Sequence, residues 1–259
     1  MTTHHFPTSE HERAAQTVIN IFKAYNEVHA ISLVNSLARG KGAKGSDLDM
    51  SILLEPPLTA ELEAAWDKHW QQLYLEYDEF TALTRHGKHA FVHVDFFDGR
   101  FPLPTRDEAA GPDWFEVSIG NRLHYNIPLW QRSNYLSQLQ AQWLPYYNDD
   151  LRQQRLTEVK QFCFGNLSYI PFYVERGLYF QAFDRLYNAF QEFLQLLFLT
   201  HRTYPIAYNK WIREQIVDIL KLPELYSELT QILAISQFES DEITRKGRQL
   251  EALIKQYVA

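Results

Sequence analysis

Hydrophobic and polar positions change their period along this chain, and the changes divide it. Val18, Ile21, Phe22 and Tyr25 recur at helical spacing behind Ser9-Glu-His-Glu12, a capping-box sequence, so an amphipathic helix opens the chain. Residues 28–34 are an apolar, β-branched run of strand length. Strand character returns over residues 48–54 until Pro56 and Pro57 end it. The pattern then predicts a helix over 59–77 and an alternating strand over 91–97, closed by the turn signal Asp98-Gly99. A Pro-rich connection follows, and residues 122–131 read as an edge strand.

From about Asn134 the period becomes helical throughout. Tyr179, Phe183, Leu186, Tyr187, Phe190, Leu194 and Leu197 form one stripe. Ile212, Ile216 and Ile219 form a second, and Leu250, Leu253, Ile254 and Tyr257 a third. Glycine thins out here, with Gly165, Gly177 and Gly247 alone after Gly120. The expected fold class is α+β: an N-terminal α/β domain with a mixed sheet over residues 1–133, and an all-α helical bundle over 134–259.

Composition narrows the function. The 259 residues are 46% hydrophobic and 22% charged, which is ordinary for a globular chain and excludes disordered and low-complexity classes. The net charge of −7 argues against a nucleic-acid partner held by a broad basic surface. One cysteine, Cys163, excludes disulfide frameworks and Cys-rich zinc sites and suits a reducing compartment. The first residues carry no apolar leader, and no stretch is long and apolar enough to span a bilayer, so a cytoplasmic protein without a membrane partner is expected.

The chemistry concentrates between the first two predicted strands. Gly40-Lys-Gly-Ala-Lys-Gly45 matches G-x-G-x-x-G, yet a strand follows it instead of a helix, so the dinucleotide-binding reading fails. A Walker A loop fails as well, because no Lys precedes Ser46. In the strand that follows, Leu48, Met50, Ile52 and Leu54 take one face, which sends Asp47, Asp49 and Ser51 to the other. Asp95 alternates in the same way against Val92, Val94 and Phe96. An Asp-x-Asp at a strand start is common surface chemistry, but three carboxylates opposite apolar stripes, one pair beside a Gly- and Lys-rich loop, form a candidate site. Like charges brought together call for a cation, and oxygen donors of this kind suit Mg²⁺ carrying substrate phosphates. His86, His89 and His93 crowd the third strand, but a zinc site needs a fuller ligand set.

These residues resemble the DNA polymerase beta-type nucleotidyltransferase superfamily. The resemblance rests on Asn35-Ser36, Ala38-Arg39-Gly40, Ser46-Asp47-Leu48-Asp49 and Asp95, in order, across residues 28–97. The helical half is similar in layout to the antibiotic (aminoglycoside and lincosamide) nucleotidyltransferases, with Lys210-Trp211 as a looser match. The resemblance implies transfer of an NMP from an NTP, ATP in the first instance, to a hydroxyl of a small molecule. Asp47, Asp49 and Asp95 would then be catalytic and hold Mg²⁺. Asn35, Ser36, Arg39, Lys44, Ser46 and Lys210 would bind the nucleotide. One departure stands out, since the family's glycine before serine is Asn35 here. Modification of a protein or RNA end, and a degenerate nucleotide-binding module, are the alternatives. The sequence leaves a monomer and a homodimer equally open.

Overall fold

A computed structural model describes residues 6–105 and 111–258. The reading of the N-terminus as leader-free rests partly on residues 1–5, which lie outside the described residues. In chain order the elements are α1 (Ser9–Phe22), β1 (Val28–Leu33), α2 (Asn35–Ala38), β2 (Leu48–Leu54), α3 (Ala60–Glu76), α4 (Asp78–Ala82) and β3 (Val92–Phe97). There follow α5 (Phe115–Ile119), β4 (Ile127–Gln131), α6 (Tyr135–Trp143), α7 (Asp149–Glu175), α8 (Tyr179–Thr200), α9 (Pro223–Leu233) and α10 (Glu242–Tyr257). The fold is α+β, with a four-stranded mixed sheet and a helical C-terminal region, as the pattern predicted. The described residues contain no helix long and apolar enough to cross a membrane.

The chain forms two compact units. One takes the residues through Phe101 together with Ile119–Pro145; the other takes Pro102–Ser118 together with the residues from Tyr146 on. In the first, the strands run β3-β2-β1-β4, with β1 antiparallel to both neighbours and β2 parallel to β3. Alternate residues of β1, β2 and β3 pack against α1, α3 and α4 in one apolar cluster. Phe22 is its hub, with ring centroids 5.6 Å from Phe96, 6.1 Å from Trp66 and 6.2 Å from Trp70. Such aromatic packing contributes both buried area and edge-to-face attraction.

Two local expectations change. Thr8, not Ser9, caps α1: its backbone is extended and its hydroxyl accepts the His11 N–H. Ser9 is already helical, one position too late to cap. Within 122–131 only Ile127–Gln131 is strand, because Gly120–His124 winds as a π-helical turn before it. Pro128 sits in that strand without cost to the sheet, since β4 is an edge.

The second unit is built on the α7–α8 pair with α10 against both. α8 buries ten of the eleven positions 189–199 on its C-terminal half, Glu192 and Gln195 among them, so it is central rather than merely amphipathic. Arg155 of α7 is 1% exposed and donates to both Asp113 oxygens at 2.7 Å and to Glu116 at 2.9 Å. Gln195 donates to both carboxylates, and the Tyr147 hydroxyl to Glu116 at 2.8 Å. This network fastens the segment before α5 to the helices. A buried charge stripped of its partner cannot recover its hydration, so Arg155→Ala is expected to lower unfolding free energy by about 3–5 kcal/mol. Urea denaturation followed by circular dichroism measures this, and a loss within experimental error would show that the network contributes nothing.

Candidate functional site

β2 is an inner strand buried along its whole length. Leu48, Met50, Ile52 and Leu54 belong to the apolar cluster, which leaves Asp49 and Ser51 on the opposite face. The parallel pairing sets Asp49 beside His93 and Ser51 beside Asp95. Val92, Val94 and Phe96 join the same cluster, so His93 and Asp95 share the face of Asp49 and Ser51. The Leu48 N–H donates to the Phe91 carbonyl at 2.8 Å and fixes this register where β2 begins.

His93 stands between two of the three acids. Its Nδ1 lies 3.6 Å from Asp49 Oδ1 and its Nε2 lies 3.7 Å from Asp95 Oδ1. These are ion-pair distances, too long for strong hydrogen bonds. The imidazole holds its proton more tightly than an ordinary histidine. The contact with Asp49 is the main cause, burial opposes it, and the charges of Asp95, Asp49 and Asp47 add to it. All three predicted carboxylates therefore act on one ring. They differ in exposure: the Asp49 side chain is 9% exposed and that of Asp95 43%. Asp49 is a held group, whereas Asp95 is open to an incoming molecule.

The loop before β2 begins alongside Asp49, whose carbonyl accepts the Val34 N–H at 3.1 Å. Asn35 then takes φ +57°, the left-handed conformation that asparagine tolerates better than other side-chain-bearing residues. The departure from glycine thus leaves the turn intact. Ser36 is partly buried within α2, and Arg39 ends that helix, its N–H donating to the Asn35 carbonyl at 3.3 Å. Gly40 follows at φ +71° and Lys44 is exposed. Ser46 closes the loop: its hydroxyl accepts the Ala43 N–H and its own N–H donates to the Ala43 carbonyl, both at 2.9 Å. Lys210 is an exposed residue of the other unit.

Sequence reasoning missed His11. Fully buried at the start of α1, it reaches the Ser46 carbonyl with Nε2 at 3.0 Å, while the Thr8 hydroxyl meets its Nδ1 at 2.7 Å. The helix N-terminus thereby holds the residue next to Asp47. No local pattern signals a contact across 35 positions; a histidine on the buried side of the helix was the one available sign.

The donor chemistry fits a hard divalent ion. Asp47, Asp49 and Asp95 supply oxygen, and Ser51 Oγ is buried on the same face with no hydrogen-bond partner. The ligands are not gathered into a cage, however. Among the described residues no group of three or more His, Cys, Asp and Glu side chains is placed to hold a metal ion. Nor do the histidines assemble a zinc site. His86 turns to Glu10 at 3.2 Å and stacks on His11, and His89 is exposed.

Comparison with protein-family models and with curated protein sequences gives no match. Among solved structures, the chain is similar to a nucleotidyltransferase-like protein from Exiguobacterium sibiricum 255-15. The two are 16% identical, over 95% of this chain and 74% of that one, with a TM-score of 0.49. The site is accordingly read on its own geometry.

The Asn35 conformation yields a direct check. At a positive φ, glycine is unstrained and alanine costs about 1–2 kcal/mol. Asn35→Gly is expected to retain full stability in urea and Asn35→Ala to lose about 1 kcal/mol. Equal stability of the two variants would mean that the turn is not left-handed in solution.

Proposed function

We propose that the chain is a nucleotidyltransferase that moves an NMP from an NTP, ATP in the first instance, to a hydroxyl of a small molecule. The observation that carries this reading is the placement of Asp49 and Asp95 on one face of two parallel strands, on either side of His93, with Asp47 directly before the first of these strands and next to a glycine-rich loop. Asp47, Asp49 and Asp95 would hold Mg²⁺, with Ser51 Oγ close by. Bound there, the ion would neutralise triphosphate charge as the bond to the leaving group breaks.

The chain's own groups divide the remaining work. Ser36, Arg39 and Lys44 lie on the loop that would receive the β- and γ-phosphates, the hydroxyl by hydrogen bonding and the cations by charge. Lys210 is carried over from the resemblance as a further phosphate contact. Ser46 acts by shaping the loop, because its hydroxyl is already engaged with Ala43. The acceptor oxygen forms a bond to the α-phosphorus, the bond from that phosphorus to its bridging oxygen breaks, and pyrophosphate leaves with the electron pair. Asp95, the open carboxylate, takes the acceptor proton. A polyhydroxylated acceptor, such as an aminoglycoside- or lincosamide-like antibiotic, is the class we propose. We place the reaction in the cytoplasm, a reducing compartment that suits a lone buried cysteine.

Pyrophosphate release from ATP and Mg²⁺, assayed against a panel of hydroxylated acceptors, tests the proposal. Asp49→Asn and Asp95→Asn are each expected to lower the rate by at least about 100-fold, in the range that loss of a positioned acid–base or charge-stabilising group produces. Turnover at the wild-type rate in both variants would overturn it. ATP binding without release against the whole panel would favour a nucleotide-binding module, and a labelled protein or RNA would favour a macromolecular acceptor.

A further inference from the structure

We propose that His93 is an internal occupant of the acid site, its imidazole filling the position between Asp49 and Asp95 so that ring and divalent ion exclude one another. The inference rests on the metal-dependent reading above and adds to it a device that controls when the ion enters.

Four observations carry it. Each ring nitrogen faces a different carboxylate, Nδ1 toward Asp49 at 3.6 Å and Nε2 toward Asp95 at 3.7 Å, so the ring stands between the two. With the ring in that place, no group of three or more His, Cys, Asp and Glu side chains among the described residues is set to hold a metal ion. The ring has a way out, since β3 is an edge strand and the His93 side chain is half-exposed. Finally, Ser51 Oγ, paired in register with Asp95, lies buried and unbonded beneath the site, a polar atom that the ring does not satisfy.

The consequence is coupling between metal and nucleotide. Without a ligand, the imidazole stands between Asp49 and Asp95. A bare ion must displace it and gains only the difference between the two sets of contacts. An ion arriving on a triphosphate brings its own anionic ligands and the grip of the loop, and so displaces the ring more readily. The protein would load its metal together with NTP rather than ahead of it.

Isothermal titration with Mg²⁺ and with Mn²⁺, each with and without a non-hydrolysable ATP analogue, tests this on wild type, His93→Ala and His93→Gln. Circular dichroism establishes that the variants fold. Removing the competing ring is expected to tighten binding of the bare ion by on the order of tenfold. It is also expected to shrink the gain that the nucleotide confers. Nitrogen chemical shifts of the His93 ring in wild type should move toward those of a solvated imidazole when ion and analogue bind together. Weaker metal binding in His93→Ala would make the ring a ligand, and unchanged binding a bystander; either overturns the inference while leaving the metal-dependent reading intact. Failure of every form to bind either ion, with the analogue present, would instead overturn the reading itself, and the inference with it.

Discussion

The parallel pairing of β2 with β3 is the constraint on which the site depends. It seats Asp49 beside His93 and Ser51 beside Asp95. A one-residue slip of β2 would send Asp49 and Ser51 into the apolar cluster and Met50 and Ile52 to the site face. That exchange is strongly resisted, because it would bury a carboxylate among Phe22, Trp70 and Phe96 while exposing large aliphatic side chains. The same hydrophobic packing that stabilises the sheet therefore aims the acids. Burial of Asp49 has a further effect: a carboxylate whose side chain is 9% exposed needs a partner, and the adjacent strand supplies an imidazole.

Around that pairing, the first unit fixes the loop from two directions. The Val34 N–H ties its start to the Asp49 carbonyl, and His11 ties its end through the Ser46 carbonyl. Between these anchors Asn35 and Gly40 make the left-handed turns. The anchors hold the loop beside the strand that carries Asp49, with Lys44 exposed. The second unit solves another problem with similar means. Arg155 counters two buried carboxylates and draws a proline-rich segment against the helices, where an apolar contact alone would set no register. The first unit thus uses two hydrogen bonds to backbone carbonyls, and the second a buried ion pairing, to specify a connection that propensity leaves undefined.

Much of this was legible in the chain. Alternation over 48–54 and 91–97 located both strands and assigned Asp49, Ser51 and Asp95 to the face opposite the core, because a two-residue period depends only on backbone geometry. The helical stripes likewise located α8 and α10, since a helix satisfies its backbone locally and advertises its buried side at every turn. Where the pattern failed, a competing local conformation decided. The boundary of β4 moved because Gly120–His124 had a π-helical alternative, and the cap of α1 moved because the Thr8 hydroxyl had both a backbone N–H and the His11 ring to bond.

The order and period of residues by themselves determined which segments become strands and helices and which acids leave the core face, through steric and hydrophobic rules that act over a few positions. Only the tertiary structure decided that β2 and β3 run side by side and parallel, that His93 stands between Asp49 and Asp95, that His11 holds Ser46, and that Arg155 gathers Asp113 and Glu116. Each of these contacts except the nearest joins groups far apart along the chain. A side chain's local pattern carries no record of which distant neighbour will share its burial, so partnership emerges only when the whole core closes.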